Sequence, residues 1–279
     1  MEYLKEKFHV AVPTAFNSDE SLNIEMTLKH IYNLQNQGVK SVLLSGSTGE
    51  QHSLTTSEKL ELLEAVSKSA ELSDDFELLF GISSIRQKDA EALARKVTDN
   101  KNVKAILVGF PPYILPTQKE AIQYVKSIVN LANKPVILYN NPLRTGFNLD
   151  NESILTLLSD VRIIGIKEAG NPSKIKNLLE KLPENKKDFL IYAGGEKNLK
   201  EKISLGYTRL SSIWGNLYSG EIANWFQALL DMKEINLPKE VEQVINHFNS
   251  DLSLLPHIKQ KISENEKINL GVCRAPLGK

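Results

Sequence analysis

Along this chain a short run of branched apolar residues is followed by a helix-length segment, and the unit recurs eight times. That alternation restricts the chain to very few folds. The apolar runs are Phe8 to Thr14 (closed by Pro13), Ser41 to Ser45, Leu78 to Ile82, Val103 to Val108, Pro135 to Tyr139, Arg162 to Ala169, Phe189 to Ala193 and Arg209 to Ile213. The segments between them carry the helical period. The first runs from an Asn23 N-cap through Gln35 and stops at Gly38. Others span Ser57 to Leu72, Lys88 to Val97, Gln118 to Leu131, Asn151 to Leu158 and Ser173 to Leu182, and a short one ends near Gly206. In the second of these, Leu60, Leu63 and Val66 are spaced to give one apolar face.

Regular β-α alternation with short connections implies parallel strands and right-handed crossovers. Eight such units close into a (β/α)8 or TIM barrel, an α/β fold. The competing solution, an open doubly wound sheet, lacks its Gly-x-Gly-x-x-Gly fingerprint after the first strand. Beyond Ser219 only helical patterns follow: Glu221 to Met232, Lys239 to Asn249 and Leu254 to Ile262. The expected organisation is a barrel over residues 1–218 with a C-terminal helical extension over 219–279.

Lys+Arg and Asp+Glu both number 34, which gives no support to a nucleic-acid or anionic-membrane partner. No stretch approaches the length of a membrane span, and Met1 to Lys7 has no long apolar core of a signal peptide. The single cysteine, Cys273, excludes an intrachain disulfide, and the spacing of a zinc site is absent, so no metal is expected. A cytoplasmic location fits these features.

In such barrels chemistry happens where strands end and βα loops begin. Lys167 ends the Arg162-Ile163-Ile164-Gly165-Ile166-Lys167-Glu168-Ala169 stretch. Burial there would lower its pKa and free the amine to form a Schiff base with a carbonyl substrate. Read alone, Lys167 is equally an exposed strand-end lysine paired with Glu168. The Gly46-Ser47-Thr48-Gly49 turn offers amides and two hydroxyls to an anion, or is an ordinary glycine turn. Tyr139 and Tyr113 are proton-transfer phenols or packed aromatics. Arg144 is a bidentate carboxylate clamp or an exposed loop arginine. His52 is a base or a structural residue beyond the turn. Gly194, Gly195, Ser211 and Asn216 also fall at strand ends. Together the pieces suit one chemistry: a lysine imine of a 2-oxo acid acts as electron sink, so that C3 loses a proton and attacks an aldehyde.

Three motifs, Gly46-Ser47-Thr48-Gly49-Glu50, Tyr139-Asn140-Asn141-Pro142 and Gly165-Ile166-Lys167-Glu168, fall in this order on strands 2, 5 and 6. With Pro111-Pro112-Tyr113 and Pro116-Thr117-Gln118 in support, the chain resembles the dihydrodipicolinate synthase / N-acetylneuraminate lyase family of pyruvate-dependent class I aldolases, from about residue 8 to residue 277. The resemblance implies that Lys167 is the Schiff-base lysine and needs no cofactor, and that Tyr139 transfers protons beside it. It implies that Ser47 and Thr48 hold the pyruvate carboxylate, with Ser47 also in the proton relay. It places Tyr113 in a neighbouring subunit's site across a tight dimer, in a dimer or dimer of dimers. Substrate contacts are expected from Gly194 and Ser211. Arg144-Thr145-Gly146 resembles the dihydrodipicolinate synthase branch, in which an arginine serves the dicarboxylate substrate; Gly46-Ser47-Thr48 is the form usual in neuraminate lyases. Thr14-Ala15-Phe16 departs from the usual Thr-Pro-Phe, Ile82-Ser83-Ser84-Ile85 from a glycine-containing turn, and Trp214 stands near the site. The implied reaction joins pyruvate to aspartate semialdehyde; a neuraminate or 2-keto-3-deoxy sugar-acid aldolase is the alternative. A non-catalytic barrel binding a 2-oxo acid is disfavoured, because the lysine, both tyrosines and the anion turn are all present.

Overall fold

The structure, a computed structural model, describes residues 4–248 and 253–277. Its strands are β1 (Phe8–Ala11), β2 (Ser41–Leu44), β3 (Glu77–Ile82), β4 (Val103–Gly109), β5 (Val136–Asn140), β6 (Ile163–Glu168), β7 (Leu190–Ala193) and β8 (Arg209–Ser212). They form one closed parallel barrel in chain order. The seam is β1 on β8, with Phe8 opposite Leu210 and His9 opposite Ser211. This is the barrel that the repeating pattern predicts.

Side chains alternate across the barrel wall, as a period of two requires. Val10, Val42 and Leu44 face the surrounding helices. Ala11, Leu43, Leu79, Ala105, Leu107 and Ile137 fill the interior. Gly165 is dictated by crowding: a Cβ there would lie 2.6 Å from the Leu190 carbonyl oxygen.

The helices are α1 (Ile24–Asn36), α2 (Thr56–Lys68), α3 (Gln87–Val97), α4 (Gln118–Ala132), α5 (Pro142–Thr145), α6 (Asn151–Leu157), α7 (Lys174–Glu180), α8 (Leu199–Ser204), α9 (Ser219–Leu230), α10 (Lys239–Asn246) and α11 (Leu254–Glu266). Thr55 with Glu58 and Thr117 with Glu120 form capping boxes that start α2 and α4. Several ends differ from the sequence pattern: α7 stops at Glu180 rather than Leu182, and α9 runs two residues earlier than the pattern at both ends, from Ser219 to Leu230. α2 stops at Lys68 rather than Leu72, because Ser69 turns extended. α10 stops at Asn246, and the predicted end at Asn249 lies outside the described residues. α11 runs past Ile262 to Glu266, where Lys267 turns left-handed.

The N-terminal end of the barrel is closed by the chain itself. Leu4 belongs to the interior cluster. Glu77 accepts the Lys5 and Glu6 N–H groups at 2.5 and 3.3 Å, while Arg209 donates to the carbonyls of Leu4, at 3.0 Å, and Glu6. The C-terminal segment ties down the other end. Ile258 and Ile262 of α11 enter the helix-facing core. His30 sits between Glu266 and Asn216, at 2.8 and 2.9 Å. Lys259 pairs with Glu50 at 3.2 Å, both fully buried, and Glu50 also accepts the Arg274 N–H at 2.9 Å. The loop after β2 is thereby held by residues more than two hundred positions away.

Removing one partner of a buried ion pair leaves the other charge unpaired. Lys259→Met should therefore lower stability in urea unfolding by ~3–5 kcal/mol. A loss below about 1 kcal/mol, the scale of an exposed pair, would show that Glu50 does not depend on it.

Candidate active site

β6 delivers Lys167 to the barrel interior because Gly165 and Lys167 share the inward face while Ile166 joins the helix-facing core. Lys167 is only 8% exposed, so the exposed reading fails. Pairing with Glu168 fails as well, since adjacent strand residues point to opposite faces. Glu168 accepts from Asn140 Nδ2 at 2.9 Å and from the Gly170 N–H at 2.6 Å, and pairs with Lys174 at 2.8 Å. It joins β5 and β6 outside the barrel interior.

Lys167 Nζ instead donates to Ser211 Oγ at 2.8 Å and stands 4.9 Å from the centre of the Tyr139 ring. Burial pulls the pKa of Lys167 down, and the Arg144 charge adds to this; Tyr139 and Glu196 oppose it. Tyr139 lies opposite Lys167 in the β5–β6 register. Its hydroxyl is 3.3 Å from Ser47 Oγ and accepts from Asn141 Nδ2 at 2.7 Å. Burial alone would raise the phenol pKa, but the Lys167 charge and the hydrogen bonds from Ser47 and Asn141 outweigh it and leave the value lowered. The lysine is thus biased toward free amine and the phenol toward phenolate, a pair suited to exchanging a proton.

Ser47, Tyr139, Asn141, Arg144 and His52 line one cavity of about 430 Å³, with Pro276 and Leu277 at its rim. α5 aims Arg144 at that mouth. Asn141 caps this one-turn helix, Pro142 occupies its first position and Gly146 ends it at φ +74°. Asn141, Pro142 and Gly146 make a complete Asn-Pro-x-x-x-Gly signal, so the loop expected around Arg144 is a one-turn helix. Gly194 borders the lysine: a Cβ there would lie 2.8 Å from that of Ala169 and 3.6 Å from Lys167 Cε.

Lys167 therefore touches Ser211 and approaches Tyr139, which reaches Ser47, and Gly194 borders the lysine. Ser47, Tyr139 and Arg144 line the cavity, whereas Lys167 and Ser211 are not among its lining residues. Thr48 is half-buried in the same turn as Ser47. Tyr113 is 90% exposed and does not line the cavity of its own chain.

Two residues escaped the sequence reading. Asn141, within the Tyr139-Asn140-Asn141-Pro142 motif, donates to the Tyr139 hydroxyl and caps α5. Glu196, two residues beyond Gly194, is fully buried; burial pushes its carboxyl pKa up against the hydrogen bonds it accepts from Ser212 and the N–H groups of Ile213 and Trp214. It binds the loops after β7 and β8 together. An acid among strand-end glycines was the available signal.

Residues 5–279 match the sequence model of the Dihydrodipicolinate synthetase family. The 4-hydroxy-tetrahydrodipicolinate synthase 1 of Halalkalibacterium halodurans is 32% identical over 221 residues, 79% of this chain and 73% of that one. The 4-hydroxy-tetrahydrodipicolinate synthase of Ligilactobacillus salivarius is 27% identical over 279 residues, 99% of this chain and 94% of that one. A dihydrodipicolinate synthase structure from Bacillus anthracis superimposes with a TM-score of 0.83 at 22% identity, covering 97% of this chain and 91% of that one. A variant of the Sulfolobus solfataricus 2-keto-3-deoxygluconate aldolase superimposes with a TM-score of 0.78 at 20% identity, covering 97% and 89%. The two structures speak for the fold alone; the match across residues 5–279 and the 32% identity speak for descent. The chain belongs to the dihydrodipicolinate synthetase family and is an enzyme of the lyase class, of the class I aldolase type.

Proposed function

We propose that this enzyme is a 4-hydroxy-tetrahydrodipicolinate synthase, which condenses pyruvate with aspartate 4-semialdehyde through an imine on Lys167, in lysine and diaminopimelate biosynthesis. The observation that carries the reading is the buried Lys167 amine, 2.8 Å from Ser211 Oγ and facing Tyr139, in a barrel whose mouth presents Arg144. The names of the relatives at 27–32% identity agree with it.

The free amine of Lys167 attacks the C2 carbonyl of pyruvate, and the oxygen leaves as water after protonation. Tyr139 and Ser47, hydrogen-bonded to each other, carry the protons. The protonated imine draws electrons from the C3–H bond; Tyr139 takes that proton and leaves an enamine, whose C3 attacks the aldehyde carbon. The developing alkoxide is protonated through the same hydroxyl pair. Ser47, Thr48 and the amides of their turn hold the pyruvate carboxylate, and Arg144 clamps the carboxylate of the second substrate. The imine itself supplies the electron sink, so no metal or cofactor is needed.

The Gly46-Ser47-Thr48 turn favours a second reading, cleavage of a neuraminate or 2-keto-3-deoxy sugar acid by the same imine. We further propose a homodimer or a dimer of dimers in the cytoplasm. There the exposed Tyr113, with Ile114 and Leu115 beside it, would meet a neighbouring copy and approach its site.

Tyr139→Phe should still bind pyruvate but lose about 10²–10⁴-fold in turnover, the scale of a general acid–base group. Near-normal turnover would remove Tyr139 from that role. With aspartate semialdehyde and sugar-derived aldehydes offered beside pyruvate, the wild type should consume the semialdehyde, and Arg144→Ala should raise its KM roughly 10–150-fold with little change for pyruvate. Turnover confined to sugar acids would replace the proposed reaction. Unchanged KM values in Arg144→Ala would remove only the arginine's role.

A further inference from the structure

We propose that Ser211 and His9 form a hydrogen-bond chain that solvates the positive charge of the Lys167 imine from inside the barrel, making His9 a positioning residue. The inference rests on the reading of Lys167 as the imine-forming residue. His9 lies opposite Ser211 across the β1–β8 seam, so both side chains stand on the inner face of the wall. Its ring packs 5.0 Å from that of Tyr192, a member of the interior cluster. His9 is 1% exposed, and neither ring nitrogen has a hydrogen-bond partner among the described residues. An imidazole here is out of place, because barrel interiors are filled by branched hydrocarbon side chains. Buried polar atoms left without partners are costly and rare, and they are commonly satisfied by a bound water.

The imine gives this histidine a use. When the amine condenses with a 2-oxo acid and water departs, the protonated imine nitrogen keeps a single hydrogen. Ser211 Oγ, 2.8 Å from Nζ, is the acceptor already in place. A hydroxyl that accepts from a cation donates its own hydrogen onward. The lone pair of a neutral imidazole receives it through one bridging water, since Ser211 and His9 share no direct hydrogen bond. Each link polarises the next, so the chain is stronger than its separate bonds. No proton changes owner; the charge is only solvated. His9 is suited to the end of this chain because burial, reinforced by the Lys167 and Arg209 charges, keeps its pKa well below the usual histidine value and its lone pair free. The charged and titratable groups facing Lys167 are Tyr139 from β5, Arg144 from α5 and Glu196 after β7. Those facing His9 are Lys167, Arg209 and Tyr192.

The test is borohydride trapping with pyruvate, read by intact mass across pH and pyruvate concentration, for wild type, His9→Leu, His9→Gln, Ser211→Ala and the double variant His9→Leu with Ser211→Ala. Thermal melting of each variant reports folding separately. His9→Leu and Ser211→Ala should each raise the pyruvate concentration for half-trapping by about 10-fold or more, the worth of a hydrogen bond to a charge. Each should also lower, by about one unit, the pH above which the adduct is lost. The double variant should be no worse than the poorer single, because one chain is broken in both. His9→Gln, which keeps an acceptor, should recover most of the trapping. A wild-type trapping curve in His9→Leu would overturn the proposal. So would losses that multiply in the double variant, or a deficit shared by His9→Gln with no movement of the pH limb. Absence of any adduct at Lys167 in the wild type would instead remove the imine reading on which the proposal stands.

Discussion

An ammonium does not enter a protein interior without a reason, and the desolvation of Lys167 is the constraint to which the rest of this structure answers. Burial favours the uncharged amine. The same burial would leave a protonated imine poorly solvated, so the site needs acceptors close by. Ser211 supplies one at 2.8 Å, and Tyr139 and Glu196 supply negative potential that opposes the desolvation. The site is thus balanced: dry enough to favour the free amine, and polar enough to tolerate the cation of the proposed imine.

That balance depends on the frame. A closed parallel barrel has no edge strands, and strict alternation sends Lys167 inward while Ile166 and Glu168 face outward. The N-terminal end is sealed by Leu4 and the Glu77 and Arg209 contacts, which leaves the C-terminal end as the route to the lysine. There the loop bearing Ser47 is held from behind by Glu50, which is anchored on Lys259 and Arg274. The C-terminal helices therefore have a physical part in the site: through Glu50 they fix a loop whose Ser47 reaches Tyr139. The last described residues, Pro276 and Leu277, border the cavity itself.

Much of this was legible in the sequence because it depends on periodicity. The eight units announced a barrel, and the rule that chemistry sits at strand ends selected Lys167, Tyr139 and Ser47 before any geometry was available. What could not be read depends on which distant residues meet. That Lys167 is buried against Ser211 is decided by how β6 and β8 meet in the closed barrel, which a single segment does not carry. His9 reads as one polar residue in a first strand until the β1–β8 seam places it beside Ser211. Glu196 reads as a loop acid until the two loops it joins are folded together. α5 was missed although its Asn141, Pro142 and Gly146 signal was complete, because a one-turn helix has no apolar period to detect. Tyr113 marks a different limit: its side chain stands clear of its own chain's cavity, so the role implied for it needs a second copy.

The most direct measurement of the central claim is the peptide mass of the protein after exposure to pyruvate and borohydride. Imine chemistry on the desolvated lysine predicts a reduced adduct on the peptide containing Lys167, and none in Lys167→Ala. An adduct on another lysine, or undiminished labelling of Lys167→Ala, would contradict it.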